Sequence, residues 1–207
     1  MEIGSFRGRS TIVLARGAGE VVAIDPHAGS DRGPRELAAD PALGEADHTA
    51  FETNLAAAGV RERVRHVRDF SGAAHGAVDG PVSLLFVDGA HRLGPARGDI
   101  ARWGGRVAPH GTMLVHDAFS SVGVTLALLA ECAFSARWRY RGRTGSLAEY
   151  ERLATPLRGR ARAADAARQL AQLPWFARNL AIKALVLARA RPLAHALGLP
   201  GDAHWPY

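Results

Sequence analysis

Lysine and cysteine are each represented once in this chain, and both scarcities narrow what it is. Lys183 is the only lysine among 26 basic residues, so the remaining 25 are arginines. With alanine so abundant, the simplest cause is a GC-rich genome rather than selection for guanidinium chemistry. Cys132 stands alone, which excludes an internal disulfide and a cysteine-rich metal cluster and fits a reducing compartment. Apolar runs never reach the ~20 residues that span a bilayer. Charged residues interrupt the first fifteen positions, which reads against a signal peptide, so the expected location is the cytoplasm. The net charge of +6 invites an anionic partner. No arginine run is interleaved with aromatics, however, and no zinc-finger spacing occurs, so nucleic acid is not the expected partner.

The composition is that of a globular protein, with 47% hydrophobic and 22% charged residues over 207 positions. Length allows one α/β domain and a small appendage. Strand-like runs alternate with helical patterns: "EVVAID", "RVRHVRD", "PVSLLFVDGAH" and "GTMLVHD" are separated by helices expected over "STIVLARG", residues 46–58 and "GPARGDIARWGG". That alternation requires crossover connections and a doubly wound, mostly parallel sheet. Residues 122–133 read as a further helix. "ARWRYRGRTGSLAEYERL" then reads as two antiparallel strands around Gly142 and Gly145. Beyond Thr155 the chain becomes Ala/Arg-rich and helical, with breaks at Pro174 and Pro192. The expected organisation is a domain over 1–154 and a helical extension over 155–207.

Ligands of open parallel sheets gather at the carboxyl ends of the strands. Here those ends carry Glu2, Gly4, Ser5 and Gly8 on the first strand and Asp25 on the second. Asp69 and Ser71 follow the third, Asp88 and His91 the fourth, His116 and Asp117 the fifth. Singly, each has a plain structural explanation. Gly4 and Gly8 suit a tight turn. Asp25, Asp69 and Ser71 suit helix caps, and His91 and His116 suit turns. Asp88 and Asp117 resist it, because both end apolar runs and unpaired carboxylates are costly to bury. Taken together, the five strand tips point to one binding rim.

At these residues the chain resembles class I S-adenosylmethionine-dependent methyltransferases, in particular a macrocin O-methyltransferase-like subgroup acting on small molecules and sugars. "EIGSFRGRS" is similar to the family's E/D-x-G-x-x-x-G loop, "VVAIDPH" to its second-strand acid, and "LLFVDGAHR" with "GTMLVHD" to the later strand ends. The likeness spans about residues 1–150. It implies a Rossmann-like sheet and S-adenosylmethionine as cofactor, held by Glu2, Gly4, Ser5, Gly8, Asp25, Asp69, Ser71 and Asp88. It further implies His91 and Asp88 as catalytic residues, with His91 the base for a hydroxyl. Mg²⁺ would be held by Asp88, His116 and Asp117. A dinucleotide enzyme would carry G-x-G-x-x-G, which this loop lacks.

The expected reaction is transfer of a methyl group to a hydroxyl of a small molecule, such as a sugar, natural product or glycolipid. The alternatives are a cephalosporin-hydroxylase-like relative on the same scaffold and a catalytically degenerate cofactor-binding module. Acceptor specificity is expected in loops 28–47 and 118–125. The first strand reads as a stub of three residues against the usual ~5, which suggests an upstream start or a degenerate fragment. "PWFARNLAIKALVLARARPLAHALG" reads as a basic amphipathic helix. It suits packing on its own domain, a partner copy in a homo-oligomer, or peripheral contact with an anionic membrane.

Overall fold

The computed structural model describes residues 1–31 and 38–199. The sheet strands are β1 (Glu2–Ile3), β2 (Val21–Ile24), β3 (Val64–Val67), β4 (Val82–Val87), β5 (Val107–Val115), β6 (Trp138–Thr144) and β7 (Leu147–Arg152). They form one sheet in the order β3-β2-β1-β4-β5-β7-β6. Strands β1 to β5 are parallel, and β7 inserts antiparallel between β5 and β6. This is the α/β, Rossmann-like sheet the alternation predicts, with its antiparallel hairpin at the end. Strand order reverses between β1 and β4, and that reversal opens a crevice at the carboxyl edge.

β1 needs only two residues because it is laddered on both sides. Glu2 pairs with Ala23 and Phe86, and Ile3 with Ile24 and Val87. The ladder continues past it: Gly4 N donates to Ile24 O at 2.9 Å, and Asp88 N donates to Ile3 O at 2.8 Å. The ends of β1 and β4 are thereby tied together where the crevice begins.

Helices α1 (Arg9–Gly17), α2 (Pro41–Ala57), α3 (Leu93–Gly98), α4 (Val122–Leu128), α5 (Gly159–Leu170), α6 (Leu173–Leu187) and α7 (Arg191–Ala196) complete the fold. One face of the sheet packs Leu85, Ile100, Trp103, Met113, Leu128 and Tyr150 into the larger core. The other buries Ala15, Val21, Ala23, Phe51, Leu55 and Val64. Two cores on opposite faces are what a doubly wound sheet requires. α3 and α4 each run on into a π-helical turn, Asp99–Trp103 and Leu129–Ala133, a distortion frequent beside functional sites.

α2 starts earlier than its periodicity suggests. Asp40 accepts from the amides of Ala42 and Leu43, and Pro41 takes the first turn, a strong helix start. The last seven residues of the loop expected over 28–47 are therefore helix, and 32–37 lie outside the described residues.

The helical extension packs onto the sheet domain. Asp165 of α5 accepts from the Tyr140 amide of edge strand β6 at 3.2 and 3.3 Å and is itself held by Arg168 and Gln169. An edge amide is thus satisfied instead of exposed. α6 places Trp175 and Phe176 against the larger core and fully buries Asn179 and Ile182. Among the described residues no helix is long and apolar enough to cross a membrane.

Candidate active site

The loops at the carboxyl ends of β1, β2, β4 and β5 enclose a cavity of about 580 Å³, within the range of small-molecule sites. Gly4, Asp25, Ser71, Asp88, His91, His116 and Asp117 all line it. The convergence expected from the strand tips is therefore present for these seven residues.

The turn after β1 forms the floor. Gly4 has φ +83°, and a Cβ there would sit 2.1 Å from Asp88 O. Only glycine lets the two strand ends close on each other. Asp25 is fixed by backbone: Phe6 N donates to Oδ2 and His27 N to Oδ1, each at 2.8 Å. A carboxylate carries further lone pairs beyond those two bonds, so it can still accept from a ligand diol. Phe6 and Phe70 add apolar lining around it.

Glu2, Ser5, Gly8 and Asp69 do not line the cavity. Glu2 is sealed beneath α1, where it accepts from the Thr11 hydroxyl. Burial pushes its carboxyl up to about 7, against the Ser10 and Thr11 hydroxyls, with the charge of Asp88 pushing further upward. Ser5 is buried and its backbone carbonyl receives the Gly8 amide. Gly8, at φ +83°, starts α1, and a Cβ there would meet Phe51 at 3.1 Å. Asp69 faces solvent and accepts from the Phe70 amide. The structure thus brings seven of the expected residues to the cavity wall and leaves these four off it: Glu2 turns beneath α1, Ser5 and Gly8 form the turn into that helix, and Asp69 faces solvent.

Glu2 gives a measurable pH signature. Its folded value near 7 lies above the ordinary 4.5. Below pH 4.5 both states are protonated and nothing is lost. Between 4.5 and 7 the unfolded chain ionises first, so stability falls as pH rises, and above 7 the loss stays constant at a few kcal/mol. Glu2→Gln is expected to remove that loss. The stability gap between variant and parent in urea titrations should be wider at pH 8 than at pH 4.5, and an equal gap at both would refute the assignment.

At the ends of β4 and β5, His91 Nε2 lies 2.7 Å from Asp117 Oδ2. Burial alone would raise the Asp117 carboxyl, but the His91 hydrogen bond and the neighbouring His116 charge outweigh it and hold the value below the ordinary range. The carboxylate orients the ring, and a single ring proton on Nε2 would leave the Nδ1 lone pair as the acceptor. Backbone closeness fixes this arrangement: a Cβ on Gly123 of α4 would stand 2.2 Å from His91 O.

His116 Nδ1 sits 3.1 Å from Asp88 Oδ1 and 3.7 Å from Asp117 Oδ1. The alignment is poor for a hydrogen bond, leaving a buried nitrogen between two carboxylates. The Asp88 carboxylate raises the His116 value against the opposing effect of burial. A protonated His116 would supply positive charge to both acids. Mg²⁺ on Asp88, His116 and Asp117 would take a ring nitrogen as ligand and break the His91–Asp117 pair, whereas Mg²⁺ prefers oxygen ligands. The residues as arranged do not fit Mg²⁺, and no step is derived through it.

Several lining residues were not signalled by the strand-end rule: Phe6, His27, Asp31, Asp47 and Asp99. Arg7 Nε holds buried Asp47 at 2.8 Å. Asp99 accepts from the Ser71 hydroxyl, and burial raises its carboxyl. Arg92 grips Asp31 with two parallel bonds of 3.0 Å, joining the loops after β2 and β4 at the cavity wall. The loop after Asp117 is braced from behind by the extension. Asn179 Nδ2 donates to Phe119 O at 3.1 Å, and Lys183 Nζ to Ser120 O at 2.8 Å. Asp117 and Phe119 both have φ +55°, a strained state that surrounding contacts must maintain.

The O-methyltransferase NovP shares the fold at TM-score 0.56 and 16% identity, covering 73% of this chain and 70% of NovP. SMU.1697c of Streptococcus mutans, solved in complex with SAH, gives 0.53 at 13% identity, with 73% and 88% covered. An rRNA methylase from Streptococcus thermophilus gives 0.52 at 14%, with 73% and 86% covered. A profile described as a methyltransferase domain matches residues 1–118. That segment carries β1 through Asp117 and hence every strand end around the cavity, and the chain belongs to the methyltransferase domain family.

Proposed function

We propose that the chain uses S-adenosylmethionine to methylate a hydroxyl of a small molecule, of the sugar, natural-product or glycolipid kind. The observation that carries this reading is the His91–Asp117 pair standing in the same cavity as Gly4 and Asp25. When bound, S-adenosylmethionine supplies an electrophilic methyl group on a sulfonium. Asp25 would accept the ribose hydroxyls, and the Gly4 turn would let backbone approach the amino-acid part. Ser71 and Phe70 would hold the adenine.

His91 would take the acceptor hydroxyl proton on Nδ1 as that oxygen receives the methyl group, for which the neutral thioether is the leaving group. The proton remains on the imidazole, whose new charge is balanced by Asp117. Asp117 and His116 keep the ring oriented and the local charge even, and most of the acceleration comes from alignment. We assign the catalytic unit to 1–154 and read 155–207 as its brace.

Calorimetry with S-adenosylmethionine and a methyl-transfer assay on hydroxylated acceptors test this directly. Binding with turnover that survives chelation is the expected result. Binding without turnover on any acceptor class would favour the degenerate module, and no binding would remove the reading. Asp25→Ala is expected to weaken cofactor binding by 10-fold to 100-fold, the worth of one or two hydrogen bonds to a charged group. Unchanged affinity would displace Asp25 from its role.

A further inference from the structure

Outside the cavity, a second group of titratable side chains lies behind Asp25. α2 carries His48 and Glu52 one turn apart, and β3 presents His66 opposite them. One donor atom from each of these three residues lies within 4.8 Å of the other two. We propose that His48, Glu52 and His66 form a binding site for a divalent transition-metal ion of the Zn²⁺ class. This inference is independent of the proposed methyl transfer.

The chemistry of the donors selects the ion. Two imidazoles and one carboxylate suit Zn²⁺ or its neighbours, whereas Mg²⁺ and Ca²⁺ take oxygen donors. A tetrahedral Zn²⁺ with bonds near 2.0–2.1 Å sets its donors about 3.3 Å apart. His48 Nε2 and Glu52 Oε1 are already at 3.7 Å. Three protein donors leave one position for water or a small anion.

The surroundings orient the donors. Arg61 binds the other oxygen of Glu52, Oε2, which fixes the carboxylate while leaving Oε1 toward His48. Glu45 Oε1 stands 3.7 Å from His48 Nδ1 and can receive its proton once the ring is metallated, with Arg68 anchoring Glu45 at 2.7 Å. Arg68 Nη1 approaches His48 Nδ1 at 3.2 Å and must withdraw as that nitrogen becomes a donor. His66 Nε2 meets the Asp25 carbonyl at 3.3 Å, and its ring stacks on His48 with centroids 5.3 Å apart. Carboxylates and carbonyls on the far nitrogens of histidine are the usual outer partners of metal ligands. All three residues are half-buried, so an ion can enter while the site stays partly shielded. The His66–Asp25 contact places the ion one residue contact behind the cavity wall.

Titrating the chelator-stripped full chain with Co²⁺ tests the site, because low-coordinate Co²⁺ absorbs visibly and reports its own ligands. The expected result is one Co²⁺ per chain with visible bands, displaced by Zn²⁺ and untouched by excess Mg²⁺. His48→Ala and His66→Ala should each weaken binding at least tenfold and abolish the bands, while His110→Ala should leave them intact. Thermal melts in chelator check that each variant folds, and His48→Gln carries the test if an alanine variant does not. Absence of bands in the parent chain, or equal affinity in the His48 and His66 variants, would overturn the proposal.

Discussion

Replacing His91 by alanine is expected to lower methyl transfer by 10²- to 10⁴-fold, the range a positioned general base contributes, while cofactor affinity stays at the parent value. The separation follows from position. Asp25 and the Gly4 turn belong to the ends of β2 and β1, whereas His91 follows β4 and is held by Asp117 and the start of α4. Removing the imidazole takes away the proton acceptor without touching the floor of the cavity. The Asp117 carboxylate keeps His116 at 3.7 Å, so the variant is expected to fold. Parallel calorimetry and single-turnover methyl transfer make the check. An unchanged rate would end the assignment of His91 as base, and a loss of affinity matching the loss of rate would make it a binding residue instead.

Gly4→Ala should have a large structural effect for a single added methyl group. At φ +83° an alanine is strained by about 1 kcal/mol. Its Cβ would also lie 2.1 Å from Asp88 O, 2.5 Å from Asp88 C and 2.9 Å from Gly89 N. These are backbone atoms at the end of β4 and cannot swing aside as a side chain would. Relief requires parting β1 from β4, at the expense of the bond from Asp88 N to Ile3 O. A total near 2–4 kcal/mol would lower Tm by roughly 5–15 °C for a chain of this size. Asp88 and Gly89, both cavity residues, would move with it, and S-adenosylmethionine binding should be lost as well. Gly59→Ala is the control: its φ is +67° but a Cβ there meets nothing within 4 Å, so only the conformational strain remains. Equal melting losses in the two variants would show that the strand closure contributes nothing.

The sequence carried the sheet because its central strands, such as β2 and the ends of β4 and β5, read as apolar runs between helical patterns, while edge strand β3 shows itself by alternation. It carried Asp25, Asp88, His91, His116 and Asp117 for a related reason: polar residues at the end of such runs have few places to go except the carboxyl edge. Glu2 shows the limit of that logic. A single residue of register decides whether a strand-end acid faces the crevice or the underside of α1, and the alternation of a two-residue strand cannot be read in advance. Asp47 fell inside the loop expected over 28–47 without being singled out, and Asp99 was missed altogether, for another reason. Their partners, Arg7 and Ser71, are 40 and 28 residues away, so nothing local marks them as wall residues. The Mg²⁺ expectation finds no support in the arrangement. Two acids close together favour a cation, but spacing alone does not say that Asp117 is already paired with His91 and that a ring nitrogen of His116 stands between the acids.

Asn179 and Lys183 reach the carbonyls of Phe119 and Ser120, immediately beyond the segment that matches the family profile. The part of the chain that is least recognisable by kinship thus steadies the turn carrying Asp117. Chimeras that exchange the last fifty or so residues among relatives would consequently alter chemistry at a distance, through the seat of one aspartate. Directed evolution of such an enzyme has a handle there that leaves the Gly4 and Asp25 end of the cavity untouched.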